Sequence, residues 1–198
     1  MTPTDQPEAS SLRPRIQGDR EQEILEATLS VLCDVGYDRL TMDAVATRAK
    51  ASKATLYRRW SSKAALVIDA LLADKTPVNV PDTGSLREDL IRTHCTAGGL
   101  SDKKPVGILA SVLTAIHRDE EFAAQFRERF IGPKIAVTRL IYERAKERGE
   151  IRPDLDVELL STSLAGIVLH RTFLLGEAPT PELITSVIDQ IIVPACRH

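Results

Sequence analysis

Lys53, Arg58, Arg59 and Lys63 lie close together in the chain, interleaved with the hydroxyls of Ser52, Thr55 and Tyr57. Cations and hydroxyls at that density suit the oxygens of a phosphodiester backbone. A guanidinium can also grip the edge of guanine with two parallel hydrogen bonds. From Arg39 to Lys63 there are seven basic residues (Arg39, Arg48, Lys50, Lys53, Arg58, Arg59 and Lys63) against one acid, Asp43. The whole chain of 198 residues carries a formal net charge of −2. The positive charge is therefore concentrated on one small module, the electrostatic pattern expected of a nucleic-acid reader with a compact contact surface.

Such side chains need rigid supports, and the local sequence supplies them. Residues 19–35 carry Leu25, Leu29 and Leu32 on one stripe with acids early, as a helix requires, and Gly36 is placed to end it. Thr41 can cap a second helix, in which Met42, Val45, Ala46 and Ala49 share one face. Ser52 can cap a third helix, and Ser61 or Ser62 a fourth running to about Asp74. At 100° per residue the third helix turns Leu56 and Trp60 inward. Ala54 and Arg58 lie opposite, Thr55 beside that open side, Tyr57 and Arg59 at its edges, and Lys53 at its exposed start.

Two short capped helices joined by a tight turn, the second bearing cations, form a helix-turn-helix that can enter a major groove. Ala54 is small enough for close approach to a thymine methyl, and Tyr57 offers a hydroxyl to phosphate. Arg58 and Arg59 suit phosphate or guanine. Lys63 and Thr41 stand at helix starts, where free N–H groups favour phosphate. The expected DNA-contacting set is Thr41, Met42, Ser52, Lys53, Ala54, Thr55, Tyr57, Arg58, Arg59 and Lys63.

These residues carry a family resemblance. Residues 19–73 resemble the DNA-binding domain of the TetR family of bacterial transcriptional regulators. The carriers are Ile24-Leu-Glu-Ala-Thr, Gly36-Tyr37, Leu40-Thr-Met-Asp-Ala-Val-Ala, Ala49-Lys-Ala-Ser-Lys-Ala-Thr-Leu-Tyr, Arg59-Trp60 and Ser62-Lys63-Ala-Ala-Leu. Relative to the family pattern, Lys50 stands where glycine is usual in the turn and Trp60 where phenylalanine is usual. Lys50 must then accept a backbone that glycine would adopt without strain, whereas Trp60 enlarges the same aromatic plug. The resemblance implies a homodimer paired through its last two long helices and a small effector, often apolar.

Bulk properties narrow the remaining classes. Hydrophobic content of 43% and charged content of 27% fit an ordinary globular protein. Cys33, Cys95 and Cys196 are odd in number and unpatterned, so neither a disulfide framework nor a zinc site is expected, and a reducing compartment fits. No signal-peptide core and no run of membrane-spanning length is read in the sequence, so a cytoplasmic protein without a membrane partner is expected. Residues 1–18 read as a disordered arm, whose Arg13 and Arg15 could touch phosphate or a minor groove.

Thr76 to Gly84, with Pro77 and Pro81, reads as the connection between a DNA-binding domain at 19–75 and a body at 76–198. The expected architecture is all-α. A three-helix helix-turn-helix domain precedes a larger helical bundle, with about nine helices or more in the chain. In the body, helices are expected near 85–98, 104–117, 119–131, 133–148, 156–175 and 181–195, interrupted at Gly98-Gly99 and Gly132-Pro133. Leu159 to Leu169 contains no charge, and the last helix carries a wide apolar stripe. Leu164, Ile167, Val168, Ile184, Val187, Ile188 and Ile191 are therefore the expected dimer face.

A ligand pocket, if present, would draw on His94, Leu109, Leu113, His117, Phe126, Phe130, Tyr142 and His170. Phe122, Leu140 and Ile141 are further candidates. No metal site and no cofactor is expected, because His94-Cys95 is adjacent rather than spaced for a shared ion.

The leading expectation is a homodimeric repressor of double-stranded DNA, released from a palindromic operator by a small effector. A ligand carrier or adaptor without operator binding is an alternative. A small all-α enzyme is another, disfavoured because no nucleophile elbow, HExxH, phosphate-cradling glycine loop or CxxC is present.

Overall fold

In a computed structural model the chain is built of helices, and no strand occurs among the described residues. These are residues 12–73, 80–96, 99–101 and 106–197, with only the backbone described for 12–17 and 106. The chain divides into two compact units, Met1–Ala73 and Asp74–His198, called here the head and the body.

The head contains α1 (Leu12–Arg39), α2 (Met42–Arg48), α3 (Lys53–Arg59) and α4 (Lys63–Leu72). α1 starts earlier than the expected Asp19, so its backbone takes in residues 12–18 of the segment read as an arm. Residues 1–11 and the side chains of Arg13 and Arg15 lie outside the described residues. Gly36 breaks α1 with φ 76° and ψ 168°, a backbone open to glycine and strained for other residues. Thr41, Ser52 and Ser62 cap the three following helices, each side-chain oxygen accepting from the N–H three residues on.

α1 packs on α4 and α2, and α2 on α3. Their common core holds Ile24, Leu32, Tyr37, Leu40, Val45, Leu56, Trp60, Leu66 and Ile68. Trp60 is 2% exposed, and its indole N–H donates to Asp69 at 2.8 Å, so the enlarged aromatic plug also ties α3 to α4.

The body contains α5 (Leu86–His94), α6 (Val106–Arg118), α7 (Glu120–Phe126), α8 (Gly132–Glu147), α9 (Val157–Leu175), α10 (Pro181–Val187) and α11 (Val193–Cys196). α7 and α8 are one continuous rod through a π-turn at Arg127–Ile131, and α10 and α11 are joined the same way through Ile188–Ile192. Gly132-Pro133 therefore does not interrupt the helix as the sequence suggested. In each rod a proline stands two residues beyond the end of the π-turn (Pro133, Pro194). Proline has no N–H and its ring crowds the carbonyl four residues back. Widening the preceding turn to a five-residue bond, Gly132 N–H to Arg127 C=O and Val193 N–H to Ile188 C=O, accommodates both.

Gly99 does mark a break. A Cβ there would come within 2.5 Å of the His94 carbonyl, where the chain folds back to close the end of α5. Gly149 and Gly176 end α8 and α9 with φ of 75° and 74°.

α8 packs against α9 and α5, and α10 against α9 and α5, around a core of Leu86, Leu90, Ile141, Tyr142, Ala145, Ile151, Leu164, Val168, Ile184 and Ile188. α9 is 19 residues long with mean hydropathy 1.2, so by length and composition it could cross a membrane, contrary to the sequence reading. It serves as a bundle helix here, yet only 22% of that apolar stretch is buried within the chain.

Candidate nucleic-acid interface

The turn between α2 and α3 is made by Ala49, Lys50 and Ala51. Lys50 adopts φ 52°, the left-handed backbone for which glycine is better suited. The Lys50 carbonyl accepts a bond from the Arg20 guanidinium at 2.7 Å, which anchors the turn to α1. Val45 and Ala46 on α2 and Leu56 on α3 are buried and hold the two helices together.

The outer surface of α3 presents Lys53, Ala54, Tyr57, Arg58 and Arg59, all exposed. Tyr57 keeps 56% of its surface open, unusual for a large aromatic in a head whose other aromatics are buried. Ser52 and Thr41 are also exposed, but their oxygens are engaged as caps. The Thr55 hydroxyl is half-buried and lies 2.8 Å from that of Ser52. Met42 is 6% exposed and belongs to the core, which removes its side chain from the expected contact set.

The cations are less free than the sequence suggested. Arg59 donates to Glu21 of α1 at 3.0 Å, Arg48 to Asp34 of α1 at 2.7 Å, and Lys53 lies 2.5 Å from Asp43 of α2. The adjacent carboxylates hold Lys53 and Arg59 above their ordinary pKa ranges, so both stay charged at any physiological pH. Lys63 is half-buried, with Nζ 3.3 Å from the Tyr37 carbonyl and 4.3 Å from the Tyr37 ring centre, so it also braces α4 against the end of α1. Arg58 has no acidic partner among the described residues. Counting charge along the helix-turn-helix alone overlooked Glu21 and Asp34, which the fold brings back from α1.

In the body the structure separates the expected pocket residues. Phe122, Phe126 and Phe130 stack along the α7–α8 rod, with ring centres 5.7 and 4.7 Å apart. Lys134 sits 5.2 Å over the Phe130 ring. Tyr142 is buried and its hydroxyl finds no partner; burial raises its pKa. His94 is half-buried as a residue, but its Nε2 is enclosed and unpartnered. Desolvation, aided by the Lys134 charge, lowers its pKa to about 4. Leu113, His117 and His170 are exposed, so the structure does not place them in an enclosed pocket. Leu109 and Leu140 are half-buried, and Ile141 is core. Among the described residues no group of three or more histidine, cysteine or acidic side chains is placed to hold a metal.

The residues expected at a dimer face divide between the core and the surface. Leu164, Val168, Ile184, Val187 and Ile188 fill the chain's own core, and Ile167 packs against it. Ile191 is 47% exposed. The open side of α9 carries Leu159, Thr162, Gly166 and Leu169 instead, a stripe at three- to four-residue spacing.

Comparison with known proteins finds matches to both units. Residues 24–70 match the family described as bacterial regulatory proteins, tetR family, and residues 80–191 match the tetracyclin repressor-like C-terminal domain. The chain is 36% identical over 180 residues to an uncharacterized HTH-type transcriptional regulator of Mycobacterium tuberculosis, covering 89% of this chain and 87% of that protein. It is 35% identical over 183 residues to the DNA-binding transcriptional repressor TetR of Mycobacteroides abscessus, covering 90% and 96%. The crystal structure of a TetR family transcription regulator, 30% identical, superposes with a TM-score of 0.60 and covers 89% of this chain and 98% of that one. With a cationic helix-turn-helix in the head and both halves matched, the chain belongs to the TetR family and is a DNA-binding transcriptional regulator, not an enzyme.

Proposed function

We propose that the protein is a homodimeric repressor that a small molecule releases from a two-fold symmetric operator. The observation that carries the dimer is the open face of α9 between Leu159 and Leu169, a stretch without charge. Leu159 is 68% exposed, and Gly166 has nothing within 4 Å of where a Cβ would stand. Such a face on a 19-residue helix is costly to leave in water, and small residues at its centre let a second helix approach closely. Two copies related by a two-fold axis would cover it isologously and present two recognition helices. Recognition helices about one DNA turn apart, roughly 34–36 Å, read a palindrome.

In this reading α3 enters the major groove with Lys53, Ala54, Tyr57 and Arg58 outward, while Thr41, Ser52, Thr55, Arg59 and Lys63 flank the phosphates. Repression follows from occupancy of DNA and needs no catalysis. Effector control follows if the ligand prefers an arrangement in which the two heads are wrongly spaced. His94, Phe126, Phe130 and Tyr142 are the groups best suited to such a ligand. Buried polar atoms without partners are costly to maintain, and a bound molecule could supply the missing bonds to His94 Nε2 and the Tyr142 hydroxyl. The repressor reading is also supported by the name of the Mycobacteroides abscessus relative.

Selection of duplexes from a random pool by the purified protein tests the proposal. Enrichment of a symmetric site with half-sites about one turn apart is the expected result; enrichment of a single asymmetric half-site, or of nothing, contradicts it.

A further inference from the structure

Asp43 is the one acid between Arg39 and Lys63. It is the second residue of α2, and its Oδ2 lies 2.5 Å from Nζ of Lys53, the first residue of α3. The pair bridges the turn on the surface expected to face DNA. Asp43 keeps 56% of its side-chain surface and Lys53 62%, so neither charge depends on the other for burial, and an exposed pair of this kind opens readily. The packing of α2 on α3 is already secured by Val45, Ala46 and Leu56. The carboxylate is therefore of small consequence to the fold and of larger consequence to the local field.

We propose that Asp43 is an internal competitor for DNA phosphate at Lys53, a residue that holds down the duplex affinity of the head by occupying one of its cations. A phosphate gains the full charge of Lys53 only at the expense of its pairing with Asp43, and the carboxylate then stands beside a polyanion. That cost is met on any sequence on which Lys53 engages the backbone, so Asp43 weakens binding to random and selected duplexes alike. The inference rests on DNA binding by the head and adds to it a role for an acid.

The test compares the full-length wild type with Asp43→Asn and Asp43→Glu on a random-sequence duplex and on a duplex selected from a pool, across a salt titration. Asp43→Asn should bind the random duplex about two- to fivefold more tightly. It should steepen the log affinity against log salt slope by about 0.9 for each engaged head. The gain on the selected duplex should be of similar size, so the ratio of the two affinities stays close to that of the wild type. Asp43→Glu, which can keep the pair, should remain close to wild type. In a Lys53→Ala background the Asp43→Asn change should lose most of its effect.

Unchanged random-duplex affinity and slope in Asp43→Asn would overturn the inference. So would weaker binding to both duplexes with a lowered melting temperature, the signature of a structural staple. A wild type that binds neither duplex would instead overturn DNA binding by the head, and is distinguished by the wild-type lane alone.

Discussion

The head and the body treat their apolar surface differently. In the head Tyr57 is the one large hydrophobic residue left exposed among the described residues, and it sits on the recognition surface. In the body Leu113, Leu159, Leu169, Leu174, Leu175 and Ile191 remain open, most of them on α9. A head that closes over its own core can be stable as one copy, whereas the open apolar helix of the body is what the proposed dimer would cover. Under the proposed function the labour divides accordingly: the head reads DNA, and the body sets how many heads read it.

The largest expected effect lies in the head. Trp60→Ala removes a nearly fully buried indole and its bond to Asp69, and should cost about 3–5 kcal/mol, abolishing DNA binding. If the two units are as separate as their cores suggest, a thermal melt should show a lost head transition with the body's transition preserved; a single unchanged transition would break the comparison.

Gly166→Glu strikes the body. Nothing stands within 4 Å of the added Cβ, so the subunit should keep its helicity, while a charge in the α9 face should make the chain monomeric. Operator affinity should fall about a hundredfold, in line with the cost of an unpaired charge at an interface. Sedimentation velocity checks the mass, and a variant that remains dimeric removes α9 from the interface.

A smaller effect concerns acid. Nε2 of His94 is enclosed, and its pKa lies near 4, below the usual 6.5. Between those values the unfolded chain binds a proton that the folded chain refuses, so stability is full above about pH 6.5 and falls as pH drops toward 4. The loss at pH 4 should be about 1–3 kcal/mol. In His94→Leu that part of the pH dependence should vanish from the body's melting curve while the head's is unmoved. An unaltered curve would mean that His94 is solvated in solution.

The smallest change is Lys50→Gly. It relieves a φ of 52° but adds freedom to the unfolded chain, so it should stabilise the head by no more than about 1 kcal/mol, and chemical denaturation of the head would register it. Destabilisation would show that the turn is not strained.

How far these features could be read from sequence depended on how local their causes are. Thr41, Ser52, Ser62 and Thr180 cap helices through bonds within a few residues, so helix starts were legible. The left-handed turn at Lys50 was legible through the family resemblance, in which glycine usually stands at that position. Arg59 pairs with Glu21 and Arg48 with Asp34 only because the head folds back on α1, so the neutralised cations were not.

The open side of α9 was not legible for another reason. α9 is apolar nearly all round, so its periodicity cannot say which stripe meets α8 and which stays open. Leu164 and Val168 proved to face the core, and Leu159 and Gly166 the solvent. Gly132-Pro133 was read as a break because both residues usually end helices. A π-turn absorbs the proline and keeps the rod continuous.

The most direct test of the account is the mass of the protein–DNA complex, measured by native mass spectrometry or sedimentation equilibrium on a duplex selected from a random pool. The account predicts an even number of chains on a two-fold symmetric site, with Gly166→Glu reduced to weak single-chain binding on a half-site. One wild-type chain bound stably to an asymmetric site would contradict it.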